Sequence, residues 1–417
     1  MSEWKETSLA NHIKIKHGYA FKGTEFTENP TKYIVVTPGN FFVGGGFKKN
    51  KLKYLNNINP PKEYIFNPND VIVTMTDLSQ DGDTLGYSAL VPNDENIYLH
   101  NQRVGLVQFL DLKLDKWFLY WLMRTFEYQA FVISSATGTA IRHTSPKLLT
   151  EYKFFLPPLP EQEAIAEVLS SLDDKIDLLH RNNKTLEQLA ETLFRQWFVE
   201  EADDSWETVT LKSICERITK GTTPTTLGKA FASEGINFIK AETLNETGGF
   251  VKDKLSYIDQ ATHDLLKRSQ ISVGDILFTI AGTIGRTSIA PQSIVPANTN
   301  QAVAIIRVNK NLVSEIFMKY VMKSDYIQEI MDSKIVHAVQ PNLSLGEISE
   351  TEIKLPPNNL LKKFDGFAFG VQEKIENNNK QIQQLETIRD TMLPKLMNGS
   401  LKVRYKNEQH LEPDCAV

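Results

Sequence analysis

The sequence predicts an α+β protein built from two copies of one mixed α/β module, separated by two long antiparallel coiled-coil helices with approximate two-fold symmetry. Two observations predict this architecture. The chain repeats its motifs once in the same order, and a long helix with a 3-4 spacing of apolar residues follows each copy. The 417 residues, of which 41% are hydrophobic, are enough to form two cores.

The duplication is visible in short motifs that recur about 200 residues later. Trp4 begins Trp-Lys-Glu-Thr, and Trp206 begins Trp-Glu-Thr-Val. Further matched segments are 45–54 with 248–257, 70–74 with 275–279, 84–92 with 283–291, 101–104 with 300–303, and 156–158 with 355–357. The offset drifts from 202 to 205 and then holds near 199 from Thr84 onward, so small loop insertions separate the two copies.

Each copy has the same internal order. Short β-type runs punctuated by Gly, Pro and Asn come first, at 33–37, 71–76 and 104–109 and again at 237–240, 276–280 and 302–308. A helical stretch near 117–126 or 315–322 follows, then Leu-Pro-Pro and a long helix. We therefore expect the first module over 1–155, its helix over 156–203, the second module over 204–354, its helix over 355–405 and a tail over 406–417.

The two long helices are predicted from their apolar stripes. Pro160, with Glu161 and Glu163 after it, suits a helix start, and Gly399 suits a helix end. The seam positions are Leu172, Ile176, Leu179, Asn183, Leu186 and Leu193 in one helix and Val371, Ile375, Asn378, Ile382, Leu385 and Met392 in the other; Ala190, Trp197, Arg389 and Leu396 continue the same steps. One Asn near the middle of each narrow stripe favours pairing in a fixed register. The alternative is that each helix covers only its own module.

Composition excludes several classes of protein. Two cysteines, Cys215 and Cys415, are too few for a disulfide framework, and the sequence shows no secretory leader or membrane-length apolar stretch, so we expect a cytoplasmic protein. The formal net charge is −5, but residues 151–205 alone carry 5 Lys and Arg against 13 Asp and Glu. The two modules are therefore balanced in charge, which leaves room for local basic faces.

The chain resembles the specificity (S) subunit of type I restriction–modification systems. The resemblance covers nearly the whole chain and rests on 156–162 (Leu-Pro-Pro-Leu-Pro-Glu-Gln) with Ile165, Leu169, Leu172 and Ile176 after it, on 18–23 (Gly-Tyr-Ala-Phe-Lys-Gly), on 221–224 (Gly-Thr-Thr-Pro) and on 393–403. It implies that each module is a target-recognition domain for one half of a split DNA sequence. The paired helices would set the spacer between the halves; 27 residues of helix span about 40 Å, slightly more than one turn of DNA.

The resemblance also implies partners. Two methylation subunits would dock on the chain, and two restriction subunits would join through them. S-adenosylmethionine, ATP and Mg would be bound by those partners, with no cofactor in this chain. The second copy departs from the family pattern, because it reads Leu-Pro-Pro-Asn-Asn-Leu from Leu355 and lacks Glu-Gln. We therefore expect the two docking surfaces to differ.

No catalytic or metal constellation is predicted. Asn59-Pro60-Pro61-Lys62 has Lys where the base-stacking aromatic of an adenine methyltransferase would stand. The segment 282–286 lacks the Lys of a phosphate-binding loop and is interpreted as a turn between strands, and Asp81-Gly82-Asp83 as a turn rather than a cation site. We expect a non-catalytic chain. The competing hypotheses are a self-contained DNA methyltransferase or nuclease, and a protein-binding scaffold without DNA specificity.

Candidate DNA contacts fall into two groups. Lys49 and Lys51, with Lys252 and Lys254 in the second copy, alternate at strand spacing and are phosphate candidates or a solvated strand edge. Polar loop residues that differ between the copies are candidates for reading bases, because shared residues cannot distinguish two half-sites. These are Lys48, Asn50, Gln80, Arg103, Arg142 and His143, and Thr223, Thr225, Lys229, Arg286, His337, Gln340 and Asn342. Asn101-Gln102 and Asn300-Gln301 occur in both copies and are interpreted as structural turns.

Overall fold

A computed structural model describes residues 4–56, 60–77, 82–138, 142–245, 248–335 and 343–404, with the backbone alone for 331–335. The chain forms two compact units, each described by itself. Unit 1 comprises 1–177 and 382–417, and unit 2 comprises 178–381. The division falls inside both long helices, so each unit holds one module with half of each helix. The expected domain boundaries instead followed the Leu-Pro-Pro segments.

The first module is a mixed α/β fold. Its elements are β1 Lys5–Ser8, β2 Ile13–His17, β3 Phe26–Thr27, β4 Tyr33–Val36, β5 Lys53–Leu55, β6 Val71–Thr74, β7 Thr76–Asp77, β8 Ser88–Leu90, β9 Ile97–His100, β10 Val104–Phe109, α1 Lys116–Leu122, α2 Phe126–Ser135, β11 Arg142–His143, α3 Pro146–Thr150 and β12 Lys153–Leu156. Four strands form the main sheet in the order β2-β10-β6-β8, and a second sheet has the order β3-β5-β4-β9. The first long helix, α4, covers Leu159–Arg195 and ends in a π-helical turn, Gln196–Glu200.

The second module repeats this arrangement. Its elements are β13 Glu207–Thr210, β14 Cys215–Lys220, β15 Ile236–Ile239, β16 Ser256–Ile258, α5 Gln260–Leu265, β17 Gln270–Ile271, β18 Ile276–Thr279, β19 Thr287–Ile289, β20 Ala297–Thr299, β21 Val303–Val308, α6 Glu315–Lys323, α7 Asp325–Ile335, α8 Leu345–Ser349 and β22 Glu352–Leu355. The main sheet has the order β14-β21-β18-β19, and β13 pairs with β22 as β1 pairs with β12. The second long helix, α9, covers Asn358–Met397. The predicted fold class and duplication are confirmed.

Two local predictions needed correction. The single helical stretch near 117–126 is broken, because the Thr125 hydroxyl accepts a hydrogen bond from the Tyr128 amide and begins a separate helix, α2. The long helices are shorter than the predicted ranges. Leu156 and Leu355 still belong to strands, paired with Lys5 and Glu207, so α4 begins at Leu159 and α9 at Asn358, each directly after the Pro-Pro pair.

The cores lie between each main sheet and the helices. In unit 1, Trp121, Phe118 and Tyr128 pack with Ile165 and Leu169 of α4 and with Leu396 of α9. In unit 2, Phe317 and Tyr320 pack with Phe194 of α4 and Phe364 of α9. The sequence predicts these helices from their apolar period, and the structure places both of them in the core of each unit.

Candidate functional site

The two long helices pair in antiparallel orientation within each unit. In unit 1 the start of α4, at Leu169, shares a core with the end of α9, at Leu396. In unit 2 the end of α4, at Phe194, shares a core with the start of α9, at Phe364. None of the twelve predicted seam side chains is exposed. The alternative in which each helix covers only its own module does not describe either unit.

The two seam asparagines meet each other in unit 2. The Asn378 amide donates a hydrogen bond of 2.7 Å to the Asn183 side-chain oxygen, and the Asn183 amide donates to Asn379 at 2.8 Å. Asn378 is buried at 1% exposure, so an apolar partner would leave its amide without a hydrogen bond. This pair gives the two helices a preferred register.

Charged groups join the second module to α4. Lys319 and Lys323 of α6 lie 3.1 and 2.6 Å from the Glu187 carboxylate, and Lys323 also reaches Glu191 at 2.6 Å. Burial opposes the charged form of Glu187, but the two ammonium groups hold the pKa of its carboxyl below the ordinary value. Burial also lowers the pKa of Lys319. This cluster holds α6 of the second module against α4.

The first module is joined to the helices by a different set of residues. The Asp173 carboxylate of α4 forms ion pairs with the guanidinium groups of Arg124 at 2.9 Å and of Arg389 in α9 at 2.6 Å. Gln162 is fully buried and donates to the carbonyls of Lys113 and Pro157, while Glu161 accepts a hydrogen bond from the Trp4 indole. The Glu-Gln pair that the second copy lacks is therefore internal. Its absence from the second copy is therefore no evidence about the docking surfaces, and the expectation that they differ stays a prediction.

The predicted lysine pairs do not alternate along a strand, and that prediction is wrong. Lys51 has a positive φ of 51°, and the buried Asn40 amide holds the carbonyls of Lys48 and Asn50 in a turn. Lys252–Lys254 is a 3-10 turn. Lys49 pairs with Asp94 at 2.7 Å, and the Lys48 ammonium lies over the Phe42 ring. Gly44, Gly45 and Gly46 all have positive φ, and this turn-forming backbone overrides the strand pattern.

Three predicted residues of the first module come together at one end of its main sheet. Arg142 and His143 form β11, which pairs with Asp77 and Thr76 of β7. The carbonyl of the exposed Arg103 accepts from the Met75 amide, one residue before β7. The three side chains therefore belong to neighbouring loops, a proximity that their sequence separation could not indicate.

The predicted residues of the second module divide into two groups. Thr223, Thr225 and Lys229 lie on the loop after β14, where the Thr223 hydroxyl donates to the Gln301 side chain. Arg286 donates to the Leu244 carbonyl at 2.7 Å and so braces the neighbouring loop. Gln80, His337, Gln340 and Asn342, like Asn59 and Asp81, lie outside the described residues.

The repeated motifs Asn101-Gln102 and Asn300-Gln301 lie in turns, as predicted. The Asn101 side chain accepts from the Arg103 amide, and Asn300 accepts from the Ala302 amide. The segment 282–286 is a turn between β18 and β19, also as predicted. Sequence reasoning missed Lys16, Tyr64, Arg217 and Arg268, which flank these turns. None of the four falls in a segment that the two copies share, so the duplication did not single them out.

Across the described residues, no group of three or more His, Cys, Asp or Glu side chains could hold a metal ion. No helix among those same residues combines the length and apolar character needed to cross a membrane.

Comparison with known proteins identifies relatives over most of the chain. The family model described as "Type I restriction modification DNA specificity domain" matches residues 1–188 and 203–387. The MjaIX specificity subunit of Methanocaldococcus jannaschii is 26% identical over 304 residues, 69% of each chain. The EcoBI specificity subunit of Escherichia coli is 24% identical over 438 residues, which cover 97% of this chain and 88% of that one. The crystal structure of a type I S subunit from M. genitalium superposes with a TM-score of 0.56 at 19% identity, covering 95% and 96% of the two chains, so the fold is shared.

Proposed function

This chain belongs to the type I restriction–modification DNA specificity family, and from that premise we propose that it reads a bipartite DNA target, one half-site with each module. DNA recognition within a type I system is the role of the family. The finer proposal concerns how two modules divide that recognition. It treats the chain as a non-catalytic subunit.

The observation that carries this proposal is one fold presented twice with different loops. The main sheets share one strand order, and both modules begin and end with the same strand pair. The loops at their strand ends differ, with Gly-Tyr-Ala-Phe after β2 and Gly-Thr-Thr-Pro after β14. A common scaffold with different exposed side chains suits two different half-sites, because shared residues cannot discriminate between them.

The helix pair would set the spacing between the half-sites. The Asn183–Asn378 hydrogen bond and the apolar seam support a fixed register between the helices. A fixed register is needed if the helix pair is to act as a ruler, that is, if its length is to set the number of base pairs between the half-sites. A helix rises about 1.5 Å per residue, so a heptad adds about 10 Å to the pair. The preferred spacer between the half-sites should respond to that length.

The chemistry would belong to partner subunits. We expect two methylation subunits to dock on the chain and to bind S-adenosylmethionine, and two restriction subunits, carrying ATP and Mg, to join through the methylation subunits. Adenine methylation would then occur at the sites that this chain selects.

Module exchange tests the proposal. Residues 206–354 would be replaced by the second module of a relative with another target, and the full chain co-expressed with its methylation subunit. Methylated adenines would then be mapped across the genome. One half-site should change while the other half and the spacer remain. Two altered half-sites, or none, would contradict the proposal that each module recognises one half-site.

Helix length tests the ruler separately. One heptad would be inserted into both helices at facing seam positions, beside Asn183 and Asn378. The mapped spacer should lengthen while both half-sites keep their letters. An unchanged spacer would contradict the proposal that helix length sets the spacing, but it would not affect the assignment of one half-site to each module.

A further inference from the structure

One end of the main sheet in the second module gathers loops from distant parts of the chain. β14 ends at Lys220, which pairs with Ala304 near the start of β21, and β18 ends at Thr279 opposite Val303. The loop after β14 and the loop before β21 therefore meet at the same end of the sheet. The 3-10 turn Lys267–Ser269 lies beside them. We call Lys220, Thr222, Thr223, Lys267, Arg268 and Gln301 the strand-end platform.

Hydrogen bonds order this platform before any ligand is present. The Arg268 guanidinium donates to the Thr222 hydroxyl at 3.0 Å, and the Arg268 carbonyl accepts from Arg217 at 2.8 Å. Gly221 is required at the centre, because a Cβ there would lie 1.9 Å from the Thr299 carbonyl oxygen. Its amide donates to the Asn300 carbonyl at 3.1 Å. An ordered surface loses little entropy on binding.

The charge of the platform is of one sign. No Asp or Glu occurs in the segments 217–233, 265–274 or 299–314, which supply it, although the whole chain carries −5. Lys267 and Arg268 are exposed, as is Gln301. Cations and hydroxyls contact phosphate oxygens, whereas a side-chain amide recognises a base edge. This combination fits duplex DNA.

The first module places different chemistry at the same position. The Lys16 ammonium donates to the Glu63 carbonyl at 2.7 Å and lies over the Tyr64 ring, which packs against Tyr19 at 5.3 Å. The Tyr19 carbonyl accepts from the amide of the exposed Gln102. Gly18 makes the close approach that Gly221 makes in the second module. The two corners share their backbone and one glutamine, Gln102 or Gln301, and differ in their other side chains.

We propose that the strand-end platform is the surface with which the second module contacts duplex DNA, with Lys267 and Arg268 on phosphates and Gln301 on a base edge. The matching corner of the first module, Lys16, Tyr19, Tyr64 and Gln102, faces the other half-site. This inference rests on the proposed function, since it names where that function is performed. It also separates phosphate contacts from a base contact, and because Gln102 matches Gln301, that contact would be to the same base type in both half-sites.

The test uses the full chain in complex with its methylation subunit, bound to a duplex carrying the mapped target at several salt concentrations. The slope of log affinity against log salt is negative, and each lost phosphate contact should reduce its magnitude by about 0.9. Lys267→Ala removes one exposed cation and should therefore make the slope less negative by about 0.9, and Lys267→Ala with Arg268→Ala by about 1.8. Lys212→Ala is the matched control, an exposed lysine at the opposite end of β14. Its slope should equal that of the parent.

Gln301→Ala should act on specificity. Losing a base-edge contact should reduce discrimination at one position of one half-site by about five- to 150-fold, with the other half-site unchanged. Amide hydrogen exchange of the second module should match the parent in the single variants, which separates binding from folding. If Lys267→Ala and Gln301→Ala keep the parent's affinity, salt slope and target letters, the platform is not the DNA surface. If the parent complex shows no sequence preference on random duplexes, the proposed function itself fails.

Discussion

Arg124 in unit 1 and Lys323 in unit 2 occupy corresponding positions 199 residues apart, and each reaches a carboxylate of α4. In unit 1 one carboxylate, Asp173, lies between two guanidinium groups and is 26% exposed. In unit 2 two ammonium groups converge on Glu187, whose side chain is 11% exposed. The module is therefore joined to the helices by a more solvent-exposed carboxylate in unit 1 and a more buried one in unit 2.

The alternatives left to each cation also differ. Arg124 donates to the Gly44 carbonyl and the Tyr120 hydroxyl and lies 4.2 Å from the centre of the Trp121 ring, so it keeps partners without Asp173. Lys319 is 4% exposed, and apart from Glu187 its ammonium contacts Gln372 at 3.2 Å. A planar cation with several donors tolerates the loss of one acceptor better than a point charge does. Unit 2 should thus depend more strongly on its one buried carboxylate.

The largest effect should come from Glu187→Ala. Removing the carboxylate leaves Lys319 buried beside Lys323, which should lower the stability of unit 2 by about 3–5 kcal/mol. Hydrogen exchange of peptides from the second module measures this, with unit 1 as the internal reference. Glu191→Ala is the matched control and should cost about 1 kcal/mol or less, because Glu191 is 42% exposed. Equal losses in the two variants would contradict the comparison.

Acid should weaken the same joint. The pKa of Glu187 is lowered in the folded chain, so its charge contributes stability above the ordinary pKa of 4.5, and that contribution is lost as the pH falls through the folded pKa. Hydrogen exchange of unit 2 at a series of pH values below 5 (about the onset of protonation) should follow this loss. Glu187→Gln should remove that component of the pH dependence. A parent and variant with parallel pH profiles would refute it.

Asp173→Ala should have a smaller effect on unit 1. A hydrogen bond to a charged group contributes about 1.5–3 kcal/mol, and Arg124 keeps its other acceptors. We expect a loss in that range, measured by hydrogen exchange of the first module. The neighbouring exposed residue supplies the control, Asp174→Ala, with no measurable change. A loss as large as that of Glu187→Ala would remove the distinction between the joints.

Gln162→Leu converts the start of α4 to the residue found at the matching position, Leu361, in α9. In unit 1 the substitution leaves the Asp115 amide and the Lys113 carbonyl without their partner, which should cost about 1–3 kcal/mol. Thermal or urea unfolding measures the loss. Glu163→Leu, at an exposed position of the same turn, should be nearly neutral. An unchanged stability for Gln162→Leu would show that apolar packing suffices in both units.

The smallest change in stability is expected when both seam asparagines become leucine. Asn183→Leu with Asn378→Leu removes both members of a part-buried hydrogen-bonded pair, so stability should stay the same or rise by about 1 kcal/mol. Its effect should appear in register, as a broader distribution of spacers in the methylated-adenine map. Asn182→Leu, at an exposed position, is the control. Replacing only Asn183 should destabilise the pair, because Asn378 is then unpaired.

The sequence by itself determined the duplication, the main strands and the two helices. Hydrophobic period and repeated motifs are local properties, so 104–109 was predicted as the strand that the structure shows, and Gly399 as the helix stop. The structure ends α9 at Met397 and gives Gly399 a positive φ two residues later. The twelve seam side chains predicted from the apolar stripes are all buried or half-buried. Those features survive because burying an apolar face dominates the placement of each element.

Only the tertiary structure decided where polar side chains point. Lys49 and Lys51 fit a strand pattern, yet glycines with positive φ and the amide of Asn40 bend that segment into a turn. Gln162 was associated with docking from the sequence but lies in the core. Arg268 could be recognised as a candidate contact only from the structure, where its loop meets the loop of Thr222 at one end of the sheet. A polar residue takes its role from its partners. Those partners lie far away along the chain, so no local pattern encodes them.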